Sequence, residues 1–253
     1  MGILLAVFFA ALGALVASFV TVVSERAYTG QSWKRGRSKC GSCREPLAAH
    51  DLVPVLSWLM LAGRCRSCGS RFPFRYVLVE AVLGVLFALS YLTLGLGLPL
   101  VAFLFALSIL LFVVLYDLRH TIVPPAASLL LFAASASFAF LTHAGTSALG
   151  LTILIAGGIS LFLFLLHALS RGRAMGLGDA PVAFSLALLA GGTHAFAGIL
   201  FSFWIGAVVG IGVLLVRRGG PTMGIEVPFV PFLAAGFLLA YFTQWNPFPL
   251  FMP

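Results

Sequence analysis

The chain has 253 residues, 61% of them hydrophobic and only 9% charged, with a formal net charge of +8. Soluble domains carry roughly a quarter charged residues, so a soluble globular fold is excluded and an all-α, polytopic membrane protein is expected. The basic residues border apolar runs, so the charge reads as topology plus attraction to anionic lipid headgroups, with no nucleic acid as partner.

The first apolar run, Ile3 to Val23, has no basic residue before it and so lacks the positive flank of a secretory signal;. It reads as a retained first transmembrane helix, occupying residues 1–23. A polar loop follows over residues 24–74. It contains Cys40-Gly41-Ser42-Cys43 and Cys65-Arg66-Ser67-Cys68, two C-x2-C pairs separated by 21 residues. Four thiolates at that spacing suit one tetrahedral structural zinc ion, and these are all four cysteines of the chain;. Two disulfides are the alternative, disfavoured in a loop that faces a reducing cytoplasm. A closed four-sulfur site leaves no open coordination position, so the metal is expected to be structural rather than catalytic.

Runs of about 17–25 apolar residues mark further spans. They are Arg75–Leu94, Gly97–Tyr116, Ala126–Thr142, Ser147–Leu169, Ala180–Ala190, Ala195–Val216 and Pro228–Phe242, separated by Gly, Pro or short polar clusters;. With the first run this gives about eight transmembrane helices. Ala180–Ala190 is short for a bilayer, and the alternative is one long helix running through Gly191-Gly192-Thr193-His194. Charge decides between them. With eight spans and an outside N-terminus, all 15 Lys and Arg fall on one face: the cluster between Arg26 and Arg75, then Arg119, Arg171, Arg173, Arg217 and Arg218. The positive-inside bias makes that face cytoplasmic. Fusing the sixth and seventh spans would put Arg217 and Arg218 outside.

The acids share this geography. Glu80, one turn inside the second span, is expected to pair with Arg75 or Arg71 in a structural role. Asp117 closes the third span. Asp179 opens the sixth, directly after Gly176 and Gly178 in Met175-Gly176-Leu177-Gly178-Asp179. A carboxylate at a membrane boundary is costly unless it is paired, solvated or used. The glycines allow another backbone to approach closely. A helix-capping role for Asp179 is the competing reading, but a second lone acid at matching depth favours a functional pair. His120 is expected to be a solvated loop residue. His167 is expected to be buried in the bundle or snorkelling rather than a ligand.

The flanking residues carry a resemblance. Ser18-Phe19, Arg37-Ser38-Lys39-Cys40, the stretch from Asp51 to Trp58, and Phe74-Arg75-Tyr76-Val77-Leu78-Val79-Glu80 occur in order. Asp117-Leu118-Arg119, Gly176-x-Gly178-Asp179 and the stretch from Val227 to Leu233 follow. Over essentially its whole length the chain resembles the type IV prepilin peptidases, the GxGD aspartyl proteases of the bacterial inner membrane. The resemblance implies removal of the short basic leader of prepilins or pseudopilins after a Gly. It also implies N-methylation of the new terminus with S-adenosylmethionine, for which the sequence names no binding residues. The family's two catalytic aspartates map onto Asp117 and Asp179, supported by Gly176 and Gly178, and its zinc ligands onto Cys40, Cys43, Cys65 and Cys68. Residues 75–253 would then form the peptidase domain.

Two departures stand out. Ile122-Val123-Pro124-Pro125 replaces a segment ending Pro-Asp, and Ala180-Pro181 replaces a Val-Lys pair. Both remove charge beside the aspartates. In mechanism, two carboxylates held close cannot both ionise easily, so one keeps a proton while the other activates a water. Three other readings are weighed against this one. A proton-coupled transporter would place its acids near the midplane, often within related repeats. A zinc-bearing membrane scaffold leaves the paired acids unexplained. A GxGD peptidase acting on another membrane-anchored protein stays closest to the first reading.

Overall fold

The computed structural model describes residues 2–27, 32, 36, 38–143, 147–173, 175–216 and 228–245. Arg217, Arg218 and Glu226, which the topology argument uses, lie outside the described residues. The helices in order are α1 (Gly2–Ala27), α2 (Leu56–Met60), α3 (Arg75–Leu94), α4 (Leu98–His120), α5 (Pro125–His143), α6 (Ser147–Leu169), α7 (Asp179–Ala190), α8 (Gly192–Val216) and α9 (Val230–Thr243). Six of these are long and apolar enough to cross a membrane, and α7 and α9 are shorter apolar helices. Together they account for the eight expected segments. The protein is an all-helical, multi-pass membrane protein; the extended pairing among the described residues is confined to isolated bridges.

The chain divides into two units, Met1–Leu100 and Val101–Pro253. In the first, α1 packs along α3. Small residues set the distance: a Cβ on Gly13 would lie 2.7 Å from the Leu83 carbonyl oxygen, and one on Gly84 would lie 2.8 Å from that of Ala10. Where lipid is as apolar as the side chains, such backbone proximity is what holds helices together. Phe9 and Tyr91 stack at 5.0 Å between ring centres. Toward the other end, the Tyr76 hydroxyl donates to Glu25 at 2.9 Å and Arg75 lies 3.7 Å from the same carboxylate.

The loop joining α1 to α3 folds as two like knuckles. Cys40 N–H donates to Glu45 O and Arg44 N–H to Cys40 O; Cys65 N–H donates to Ser70 O and Gly69 N–H to Cys65 O. Each knuckle closes with a bridge, Lys39 with Pro46 and Arg64 with Arg71. The residue after the second cysteine is left-handed in both, Arg44 at φ 60° and Gly69 at φ 70°. Between the knuckles lie a 3-10 turn, Ala49–Leu52, and α2, neither of which is evident in the sequence pattern. Among the described residues Glu80 does not form the expected ion pair with Arg75 or Arg71; Arg75 lies against Glu25 instead. The Glu80 carboxylate accepts the backbone N–H of Val55 at 2.8 Å. Val55 sits at φ 61° just ahead of α2, a conformation that a β-branched residue adopts only when held.

In the second unit, α7 is the central element. Ten of its side chains are buried, and it packs on α5, α6, α8 and α9. At 12 residues it is about 18 Å long, too short for a bilayer of about 30 Å. Its surroundings are protein, which removes the penalty for that mismatch. Helix α7 stops at Gly191, whose φ of 80° suits glycine after a helix end. Helix α8 begins at the next residue, so the sixth and seventh segments are separate. Phe103 of α4 stacks on Tyr241 of α9 at 4.7 Å and meets Phe138 of α5 in a tilted pair at 5.0 Å. Ser160 of α6 donates to the Ala180 carbonyl at 3.0 Å, anchoring the first turn of α7.

Candidate active site

Asp117 lies three residues before the end of α4, and Asp179 is the first residue of α7. Both are buried, at 4% and 5% exposure, which for carboxylates demands dedicated partners. The Asp117 carboxylate lies near the backbone amide of Val230, the first residue of α9. An acid at a helix N-terminus is stabilised by the unpaired amides and the helix dipole there. Oδ2 of Asp117 is buried with no hydrogen-bond partner among the described residues. Asp179 reaches back to accept the N–H of Gly176 at 3.0 Å, while its own N–H donates to the Gly176 carbonyl at 3.3 Å. Both bonds run back into the preceding turn; the N-cap of α7 is Gly178 and no side chain caps the helix, so Asp179 does not play the capping role. The Asp117 carboxylate is near enough for its charge to act on Asp179.

The turns that carry them interlock. After α4, Thr121 takes φ 53° and donates its N–H to the Asp117 carbonyl at 2.7 Å. The chain then runs through Val123 to Pro125, which opens α5 as its first residue, where a missing N–H costs nothing;. Val123 presses on Gly178, where a Cβ would lie 2.7 Å from the Val123 Cβ. A Cβ on Gly176 would lie 3.4 Å from Oδ2 of Asp179. The two glycines thus fit the close approach expected of them. Val123 stands in one of the two departing segments, and sequence reasoning missed its contact.

His167, near the end of α6, is half-buried, and its Nδ1 lies 2.8 Å from the Met175 carbonyl oxygen. It is therefore tied to the turn before α7 rather than merely snorkelling. The sequence signal was only its spacing of eight residues before Met175. Beside the same turn runs an apolar groove of about 560 Å³, lined on α5 by Phe132, on α6 by Phe164 and Leu161, and at the start of α7 by Leu177, Ala180 and Pro181.

In the loop of the first unit, the four cysteine sulfurs lie within 4.8 Å of one another, and no pair forms a disulfide. Sulfurs around a tetrahedral zinc at about 2.3 Å stand about 3.8 Å apart, and Cys40 and Cys68 are separated by 3.8 Å. The donor set fits one metal ion. The Ser70 hydroxyl lies 3.1 Å from the Cys68 sulfur and 3.4 Å from that of Cys40. Its hydrogen bond is the main reason the Cys40 thiol is lowered to about 6, which favours the thiolate that a metal needs.

Known proteins bear on both units. Residues 11–94 match the model of the bacterial peptidase A24 N-terminal domain, and residues 104–211 match that of the type IV leader peptidase family. A prepilin leader peptidase/N-methyltransferase of Bacillus subtilis is 31% identical over 205 residues, covering 81% of each chain. One of Myxococcus xanthus is 34% identical over 231 residues, 87% of this chain and 67% of its own. One of Aeromonas salmonicida is 32% identical over 218 residues, 83% of this chain and 74% of its own. No solved structure matches the chain.

Proposed function

As the chain belongs to the type IV leader peptidase family, we propose that it is a peptidase of prepilins or pseudopilins whose catalytic groups are Asp117 and Asp179. The observation that carries this is a pair of buried carboxylates near the end of α4 and at the start of α7, Asp179 on the Gly176 amide and Asp117 with one oxygen left unpaired among the described residues. Such a pair shares a proton, because like charges held close resist double ionisation. The ionised member activates a water for attack on the scissile carbonyl. The protonated member donates to the developing oxyanion and then to the leaving amine. The titration belongs to the pair and not to either residue.

The apolar groove at Ala180 and Pro181 suits the hydrophobic part of such a substrate, and replacement of a charged family position by Pro181 keeps its lining apolar. The basic residues Arg119, Arg171 and Arg173 support a cytoplasmic position for this end of the bundle in the inner membrane, by the positive-inside bias;. In this reading, residues 1–23 are the first span and 24–74 a zinc-binding domain whose ion, held by Cys40, Cys43, Cys65 and Cys68, is structural. Residues 75–253 carry the peptidase. The relatives' names include an N-methyltransferase, and we extend to this chain a second activity with S-adenosylmethionine as methyl donor. The described residues assign that donor no binding set.

The test is cleavage of prepilin-like peptides, each a basic leader, a Gly and an apolar helix, by the purified full chain in lipid vesicles. Asp117→Asn and Asp179→Asn should each lower cleavage about 10²–10⁴-fold, the range of acid–base contributions. The double change should be little worse, since residues acting as a unit are not additive. A monodisperse, metal-replete Asp179→Asn chain that still cleaves at a substantial fraction of the wild-type rate would overturn the assignment.

A further inference from the structure

We propose that His167 is a positioning residue for Asp179, acting through the Met175–Gly176 peptide group. This rests on the reading of Asp179 as catalytic and goes beyond it. The carbonyl of that peptide receives the imidazole Nδ1 at 2.8 Å, and the N–H of the same peptide donates to Oδ2 of Asp179 at 3.0 Å. A peptide group is planar, with its C=O and N–H pointing in opposite directions. Fixing the carbonyl on the imidazole side therefore fixes the direction in which the amide meets the carboxylate. A carbonyl oxygen can only accept, so Nδ1 must carry the hydrogen. A hydrogen bond on the carbonyl also polarises the amide and strengthens it as a donor. The ring, the peptide and the carboxylate form one chain of hydrogen bonds.

The backbone that carries the ring is held as well. Ser170 Oγ donates to the His167 carbonyl at 3.1 Å and Gly172 N–H donates to it at 2.9 Å. Gly172 takes φ 77°, and a Cβ there would lie 3.4 Å from the ring carbon Cε1. The chain after α6 thus closes over the imidazole before turning back toward Asp179. A ring that merely filled space would not require its nitrogen on the one carbonyl whose amide serves the aspartate.

The experiment uses the full chain in vesicles with the prepilin-like peptide above. His167→Ala should lower kcat about 10-fold to 100-fold, the size of loss caused by slight misplacement of a catalytic group. KM and metal content should stay near wild type. His167→Asn, whose side-chain amide can donate from nearly the place of Nδ1, should recover kcat to within about threefold. If the alanine chain does not fold, His167→Leu fills the space without a donor and replaces it. Wild-type kcat in the donor-free variant, or equal loss in the donor-free and Asn variants, overturns the proposal. Asp179→Asn is run in parallel: if that chain cleaves normally, the catalytic reading fails and the positioning role fails with it. If Asp179→Asn is dead and His167→Ala is fully active, only the positioning role fails.

Discussion

The cysteine loop and the turn before α7 both hold polar side chains on tight, glycine-bearing turns, yet they are kept in place by opposite means. Between residues 38 and 74 the buried hydrophobic side chains are Cys40 and Cys65, while Leu56, Leu59 and Met60 are exposed. The loop has almost no core, and its four cysteine sulfurs lie within 4.8 Å of one another, close enough to share one metal ion. The turn before α7 has no cross-link. It opens a helix of which ten residues are buried, and its shape is imposed by packing from Val123 and by hydrogen bonds from Ser160 and His167. One region should fail when its ligands are lost, and the other when its space is altered.

The largest effect expected from this contrast follows metal removal. Structural zinc contributes about 10–16 kcal/mol in small domains, far more than the loop's few buried groups can replace. A strong chelator, or Cys43→Ser, should expose the segment between Arg26 and Arg75 to trypsin and lower metal content below half an ion per chain (roughly, against one ion for a closed site). Residues 101–253 should stay protease-resistant under the same conditions. A chelated loop as resistant as the untreated one would mean that it folds without metal, and the contrast would be lost.

Next in size is Gly178→Ala. The added Cβ would meet Val123 at 2.7 Å, and overpacking of that kind costs about 1–3 kcal/mol. Because the strain falls one residue from Asp179, cleavage should drop about 10²-fold while metal content is unchanged. Adding Val123→Gly, which removes the Cβ that the new methyl would meet, should recover part of the loss. Equal activity in the wild type and Gly178→Ala would show that the two turns are not tightly interlocked.

These two regions also differ in how far they could be read from sequence. The cysteine spacing announces its own geometry, because a metal asks only for four sulfurs in reach. The helices were legible as apolar runs, and Ser147–Leu169 and Arg75–Leu94 have the expected ends. Asp117 and Asp179 were visible as lone acids at span boundaries. Their immediate partners were not. The amides of Val230 and Gly176 are backbone groups with no residue identity to read, and His167 acts on a carbonyl rather than on a charged side chain. Glu80 misled for the same reason: a nearby arginine is visible in sequence, whereas the amide of a left-handed Val55 is not.

The smallest effect concerns a tie between the knuckles. Asp51, in the 3-10 turn, accepts Nε and an outer guanidinium nitrogen of Arg66 at 3.1 and 2.8 Å on one oxygen. The Arg66 hydrogen bonds hold its carboxyl below the usual carboxylate range. A depressed pKa means that the stabilisation is fully present above the unfolded-state value of about 3.9 and is lost only as pH falls through the lower folded value. From pH 8 to 6 the pair should therefore be constant. Asp51→Asn should raise the tryptic cleavage rate of the loop by about twofold at low salt, as for other exposed ion pairs, equally at both pH values. That difference should shrink in high salt, which screens exposed charges. A difference that changes between pH 8 and 6 would transfer the role to His50, whose Nε2 lies 3.4 Å from the same Asp51 oxygen.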